Sequence, residues 1–147
     1  MIQAKSYIGQ PIFSPGTVIG DAVFGGSVTA ATTTTFTAQS GQGDMRVVVK
    51  GTFTVSGGVV TGGTVESFTA FAGDTKVADA KGYALNALTL YTAIQTDDYS
   101  EIEELLFNVA SKVTGSKQDD ISYGSDFNDK LLGKDGNDEL YGWSGDD

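Results

Sequence analysis

A mainly β protein is predicted, and three observations predict it. The first half is rich in Val, Thr, Phe and Gly and carries no heptad-like spacing. A 3.6-residue hydrophobic period surfaces only after Leu85. From Gly115 onward, glycine returns every nine residues, at 115, 124, 133 and 142, and aspartate follows each by five, at 120, 129, 138 and 147. The expected organisation is a β-rich N-terminal domain over residues 1–84, two short capping helices over 85–111, and a repeat segment over 112–147.

In the first part, residues 53–56 and 59–61 flank Gly57-Gly58, a pair that supplies the positive φ angles of a two-residue type I′ hairpin turn. Residues 69–72 and 75–78 flank Gly73-Asp74, with glycine first as a type II′ turn prefers. Together these turns predict a meander, to which residues 45–50 add a third strand and residues 18–24 a weaker fourth. Residues 30–36 hold four consecutive threonines without charge or proline; they read as a paired strand or extended linker, or alternatively as a self-association edge.

In the second part, Ala87, Leu90, Tyr91 and Ile94 fall on one helical face, with Asn86 as N-cap. After Thr96-Asp97-Asp98 breaks the pattern, Ser100 and Glu103 form a capping box for a second helix, whose apolar face is Ile102, Leu105, Leu106 and Val109. The pair reads as a cap on one end of a core, with a partner-binding pair as the alternative reading.

The third part consists of the units GSKQDDISY, GSDFNDKLL, GKDGNDELY and the unfinished GWSGDD. This segment resembles the repeat-in-toxin (RTX, hemolysin-type) nonapeptide family, G-G-x-G-x-D-x-U-x, most closely from Gly124 onward. The resemblance implies a parallel β-roll in which a six-residue turn precedes a three-residue strand, two nonapeptides complete one coil, and Leu131 and Leu140 point inward. It implies calcium held between stacked turns, with Asp120 facing Asp138, Asp129 facing Asp147, and carbonyls near Asp126, Asp135 and Gly136 completing a shell of hard oxygens. Departures are visible. Position 2 is never glycine, position 4 is glycine only at Gly136 and Gly145, and Ile121 lies one place ahead of the apolar phase, which marks the first unit as an atypical entry turn. Residues 112–147 carry nine acids and four lysines, a charge of −5, so without the ion the segment is expected to be disordered.

The resemblance extends more loosely to residues 51–54, 62–65 and 82–85, which are similar to the front part of many short proteins of this family. Those proteins are secreted without a cleavable leader, through a type I channel. Residues 1–20 match in lacking a signal-peptide apolar run, and no stretch of the chain reaches a membrane span. Because the sequence stops inside a repeat, the natural protein is expected to be longer or trimmed.

Composition excludes several functions. With 147 residues, the chain fits one medium domain or a small one with appended repeats. A net charge of −10 argues against nucleic acid or an anionic membrane as partner. Without histidine or cysteine there is no zinc protease helix, Ser-His-Asp triad or thiol nucleophile. The nearest string to a lipase elbow, Gly142-Trp143-Ser144-Gly145, has the wrong spacing. Asp21, Asp44, Glu66, Asp74 and Asp79 are the only acids in residues 1–84 for a glycosidase pair, and each reads equally as a turn or solvated residue. The expectation is a non-enzymatic, extracellular or cell-surface calcium-binding protein with a structural, adhesive or self-assembling role. Its partners would be calcium ions, with a homo-oligomer or filament and a cell-surface or polysaccharide ligand left open. The alternative is the calcium-dependent accessory region of a secreted enzyme, such as a polysaccharide-modifying one.

Overall fold

A computed structural model of the chain describes residues 1–7, 26–41 and 44–147. The strand expected over residues 18–24 lies outside them. The framework is a long antiparallel meander of β2 (Gly26–Val28), β3 (Thr35–Ser40), β4 (Met45–Ser56), β5 (Val59–Ala72) and β6 (Thr75–Asn86), with β1 (Ile2–Ser6) added beside β6. The β4–β5 turn is Gly57-Gly58, with φ of 59° and 80°, as the type I′ reading requires. At the β5–β6 turn Gly73 has φ of 58°. The strand expected over 45–50 and the one over 53–56 are a single strand, β4, bent at a register shift between Lys50 and Gly51. A Cβ at Gly51 would sit 2.0 Å from the Thr64 carbonyl oxygen, so only glycine lets the two backbones meet there.

The threonine run departs from its expected strand. Thr32 closes a local turn, its Oγ1 accepting from the amides of Thr34 and Thr35, and the strand starts only at Thr35. The carbonyls of Thr33 and Thr34 accept from Phe53 and Gly51, so the run covers β4 at its bend and is not an open edge.

Two helices follow, α1 (Ala87–Gln95) and α2 (Tyr99–Leu106). Asn86 caps α1 through Oδ1, which accepts from the Thr89 amide at 3.1 Å. The α2 cap is Asp98, accepting from the Glu101 amide at 3.2 Å, which corrects the expected Ser100–Glu103 box. Asp97, with φ of 51°, turns the chain so that Asp98 reaches the first free amide two residues earlier. Val109, expected on the α2 face, lies beyond its end.

The helices lie over one face of the meander, α1 against β5 and α2 against α1. Phe36 packs on Phe53 and, edge-on, on Tyr91, each at 5.4 Å between ring centres; Phe68 meets Tyr83 edge-on at 4.8 Å. The Tyr83 hydroxyl donates to the Leu106 carbonyl at 3.1 Å, tying sheet to α2, and burial pushes its phenol pKa up. The expected helical cap is therefore chiefly a lid on the sheet. It touches the repeats at one edge, where the Ser125 hydroxyl donates to the Val109 carbonyl at 3.2 Å.

β1 joins the two halves. It pairs antiparallel with β6 and parallel with β7 (Ser111–Thr114), which pairs in turn with β9 (Lys130–Leu132). One eight-stranded sheet, ordered β2-β3-β4-β5-β6-β1-β7-β9, thus runs across the expected boundaries at 84 and 111, while β8 (Ile121–Tyr123) and β10 (Glu139–Tyr141) form a separate parallel pair.

Candidate metal centre

Each nonapeptide folds into a tight turn and a three-residue strand, and strands 18 residues apart stack in parallel: Val113 on Leu131 in one layer, Ser122 on Leu140 in the other. These four residues form the inward column. Val113 and Ser122 are buried, Leu131 is half-buried against the core, and Leu140 is 44 % exposed. The inward placement expected for Leu140 therefore buries little of it, because among the described residues β8 is the one strand paired with β10. Ile121, out of phase in the sequence, is turned outward, and the small polar Ser122 takes the inner place.

The aspartates at position 6 tie the turns together. Asp138 Oδ1 accepts from the Asp120 amide at 2.9 Å, and Asp147 Oδ1 from the Asp129 amide at 2.8 Å. Within their own turns, Asp120 and Asp129 accept through Oδ2 from the amides of Ser116 and Ser125. The structure thus brings Asp138 to Asp120 and Asp147 to Asp129. The same 18-residue contact reaches one place further back than the sequence reading: Asp129 Oδ1 also accepts from the amide and hydroxyl of Ser111. Ser111 stands where a preceding unit would have its position 6, a signal legible from spacing alone.

No such donor exists for Asp120. Eighteen residues before it lies Ile102, inside α2, and Asp120 Oδ1 is buried without a hydrogen-bond partner among the described residues. A buried carboxylate oxygen without a donor is costly unless a cation meets it.

Close stacking explains the glycines. A Cβ on Gly136 would lie 2.6 Å from the Gln118 carbonyl oxygen, and one on Gly145 2.7 Å from that of Phe127. Gly136 therefore stands at the junction of two turns, and the carbonyls that meet these glycines are those of Gln118 and Phe127. Asp126 and Asp135 are exposed at the turn tips, Asp126 facing Glu103 and Glu104 across a cleft. With no glycine at position 2, the chain compensates in two ways. Ser116 and Ser125 accept from the amides of Gln118 and Phe127 in side-chain-closed turns, whereas Lys134 and Trp143 adopt φ of 83° and 68°. A second ladder, missed in the sequence, uses position 5: Asp119 accepts from the Asn137 amide at 2.8 Å and Asn128 from the Asp146 amide at 3.1 Å.

Residues 114–147 match the family model of the RTX calcium-binding nonapeptide repeat, in four copies. The C-terminal segment of this chain is an RTX repeat array. No curated protein and no solved structure matches the chain. The RTX repeats bind calcium as a family, and the residues here fit that ion. The stacked turns offer carboxylate, carbonyl and hydroxyl oxygens, one buried carboxylate oxygen lacks a partner among the described residues, and the glycine cradle keeps carbonyls of neighbouring turns close. Among the described residues no three acidic side chains converge on one point, so turn carbonyls must supply much of any shell built here.

Proposed function

We propose that this protein is a secreted or cell-surface calcium-binding protein with a structural, adhesive or self-assembling role, in which calcium drives folding of residues 112–147. The observation that carries this reading is the buried Oδ1 of Asp120, without a partner among the described residues, at the head of a stack of RTX turns. Calcium supplies the positive charge that such a stack lacks, and the chain's part is to hold its oxygens in register. Asp120, Asp129, Asp138 and Asp147 would supply the carboxylates, with carbonyls of turns such as that of Gly136 beside them. The inward column offers too little apolar area to fix four turns by itself, so binding free energy becomes folding free energy.

Export is supported by the RTX repeats, whose family is typically secreted. A non-enzymatic role rests on the absence of histidine and cysteine and on the lack of any paired-carboxylate motif. Self-assembly is supported by the exposed Leu132, Leu140, Tyr141 and Trp143 on the second coil. Far-ultraviolet circular dichroism and light scattering through a calcium titration test the reading together. The expected result is a gain of β signal between chelator and millimolar calcium; no gain would overturn calcium-driven folding, and a constant monomer mass would remove self-assembly.

A further inference from the structure

The net charge of −10 conceals a segregated one. On the sheet face turned away from the helices, strand register lines up one row: Lys50 opposite Ser67, Ser67 opposite Lys81, Lys81 opposite Gln3, Gln3 opposite Lys112, and Lys112 opposite Lys130. The next row over carries Lys5, and Lys134 reaches the same depression, a hollow of about 600 Å³. Asp79 is the only acid among the described residues that line it. That carboxylate is already taken, by an ion pair with Lys76 and by the Tyr7 hydroxyl at 2.7 Å. Among the described residues no ion pair involves Lys5, Lys50, Lys81, Lys112, Lys130 or Lys134. Lys112 and Lys130 even stand directly opposite each other, an arrangement of like charges that weakens a sheet.

The geometry points to this face as a binding site for an acidic polysaccharide that bears a carboxylate on every second sugar. Three properties of the row select that ligand. Lys50, Lys81 and Lys112 sit on every second strand, so their backbones are spaced by about 9.6 Å, close to the roughly 10 Å rise of a disaccharide in an extended glycan chain. Between them stand Ser67 and Gln3, a hydroxyl and an amide suited to the uncharged sugar in between. Among the described residues no arginine fork lines the hollow to grip phosphate, Phe68 is buried, and Tyr7 is flanked by Lys5 and Lys76 rather than free to stack on bases.

The test measures binding of a short hyaluronan oligosaccharide, with glucuronate on alternate sugars, to the whole chain in millimolar calcium at low salt. The expected result is binding that weakens with added salt, with no binding of a chitin oligosaccharide of equal length. Lys81→Gln with Lys112→Gln is expected to weaken hyaluronan binding about ten-fold, while Lys117→Gln, outside the row, leaves it unchanged. Circular dichroism of the double variant in calcium, expected to match the parent, keeps a loss of binding from being read as unfolding. Equal binding by parent and folded double variant overturns the site. So does tighter binding of a single-stranded oligonucleotide, or a self-association that the double variant abolishes while no oligosaccharide binds.

Discussion

At Asp120 a single oxygen carries much of the chemistry. Its Oδ2 is held by the Ser116 amide and its Oδ1 by no donor among the described residues, whereas both oxygens of Asp129 have donors. Asp120→Asn keeps the turn's shape but removes the charge, and is expected to raise the calcium midpoint of the β transition several-fold, read by circular dichroism. Gly136→Ala is a steric counterpart: its methyl would strike the Gln118 carbonyl in a residue with φ of 118°, and the stacked turns are expected to lose calcium-induced structure. At this scale the sequence was informative where a residue type has one reason to be present. The glycine and aspartate columns were legible from their shared nine-residue spacing, and the two need each other: a Cβ on Gly133 would fall 2.0 Å from Asp138 Oδ2. The carbonyls of Gln118 and Phe127 were not, since a carbonyl belongs to every residue and side-chain identity does not mark it.

Helix starts and strand ends show how local signals compete. Asn86 was legible as a cap because no rival donor-acceptor residue stands beside it. The second helix offered Asp98 and Ser100 two places apart, and the chain turn at Asp97 decided for Asp98. Asp98→Ala is accordingly expected to cost about 1 kcal/mol of stability and Ser100→Ala a few tenths, measured by chemical denaturation in calcium. The hairpin turns were legible from Gly57-Gly58 and Gly73, whereas the fusion of two expected strands into β4 was hidden by Gly51, whose role is set by the distant Thr64. Where β1 leaves the sheet, Tyr7, Lys76 and Asp79 form a clip. Burial resists ionisation of Asp79, but the Lys76 ammonium and Tyr7 hydroxyl outweigh it and hold the carboxyl below its usual range. A depressed carboxylate contributes stability above its unfolded value of 3.8 and loses it as pH falls through the lower folded value. The stability difference between parent and Asp79→Asn is therefore expected to be within about 1 kcal/mol at neutral pH and to vanish in acid below that window.

Across the whole molecule, β1 makes the repeats an extension of the N-terminal sheet. Its parallel pairing with β7 gives the first coil a ready-made edge, and the Ser111 contact to Asp129 continues the repeat geometry into that edge. The mainly β class was legible in hydrophobic period and glycine spacing. The shared sheet was not, because pairing between residues 2–5 and 111–114 joins segments far apart in sequence and leaves no local pattern. For the same reason the basic row was invisible in a composition that read only as acidic. A preformed edge also predicts how calcium acts: the meander and helices, with Leu90, Ile94, Ile102 and Leu106 buried, stand without the ion, and the RTX turns wind onto them when it binds. Hydrogen–deuterium exchange of the whole chain in calcium and in chelator tests this most directly. The amides of Ser111, Asp120 and Asp129 are expected to be protected only in calcium, while those of β4 to β6 exchange equally slowly in both. Equal protection of the repeat amides in chelator and calcium would contradict calcium-driven winding of the turns.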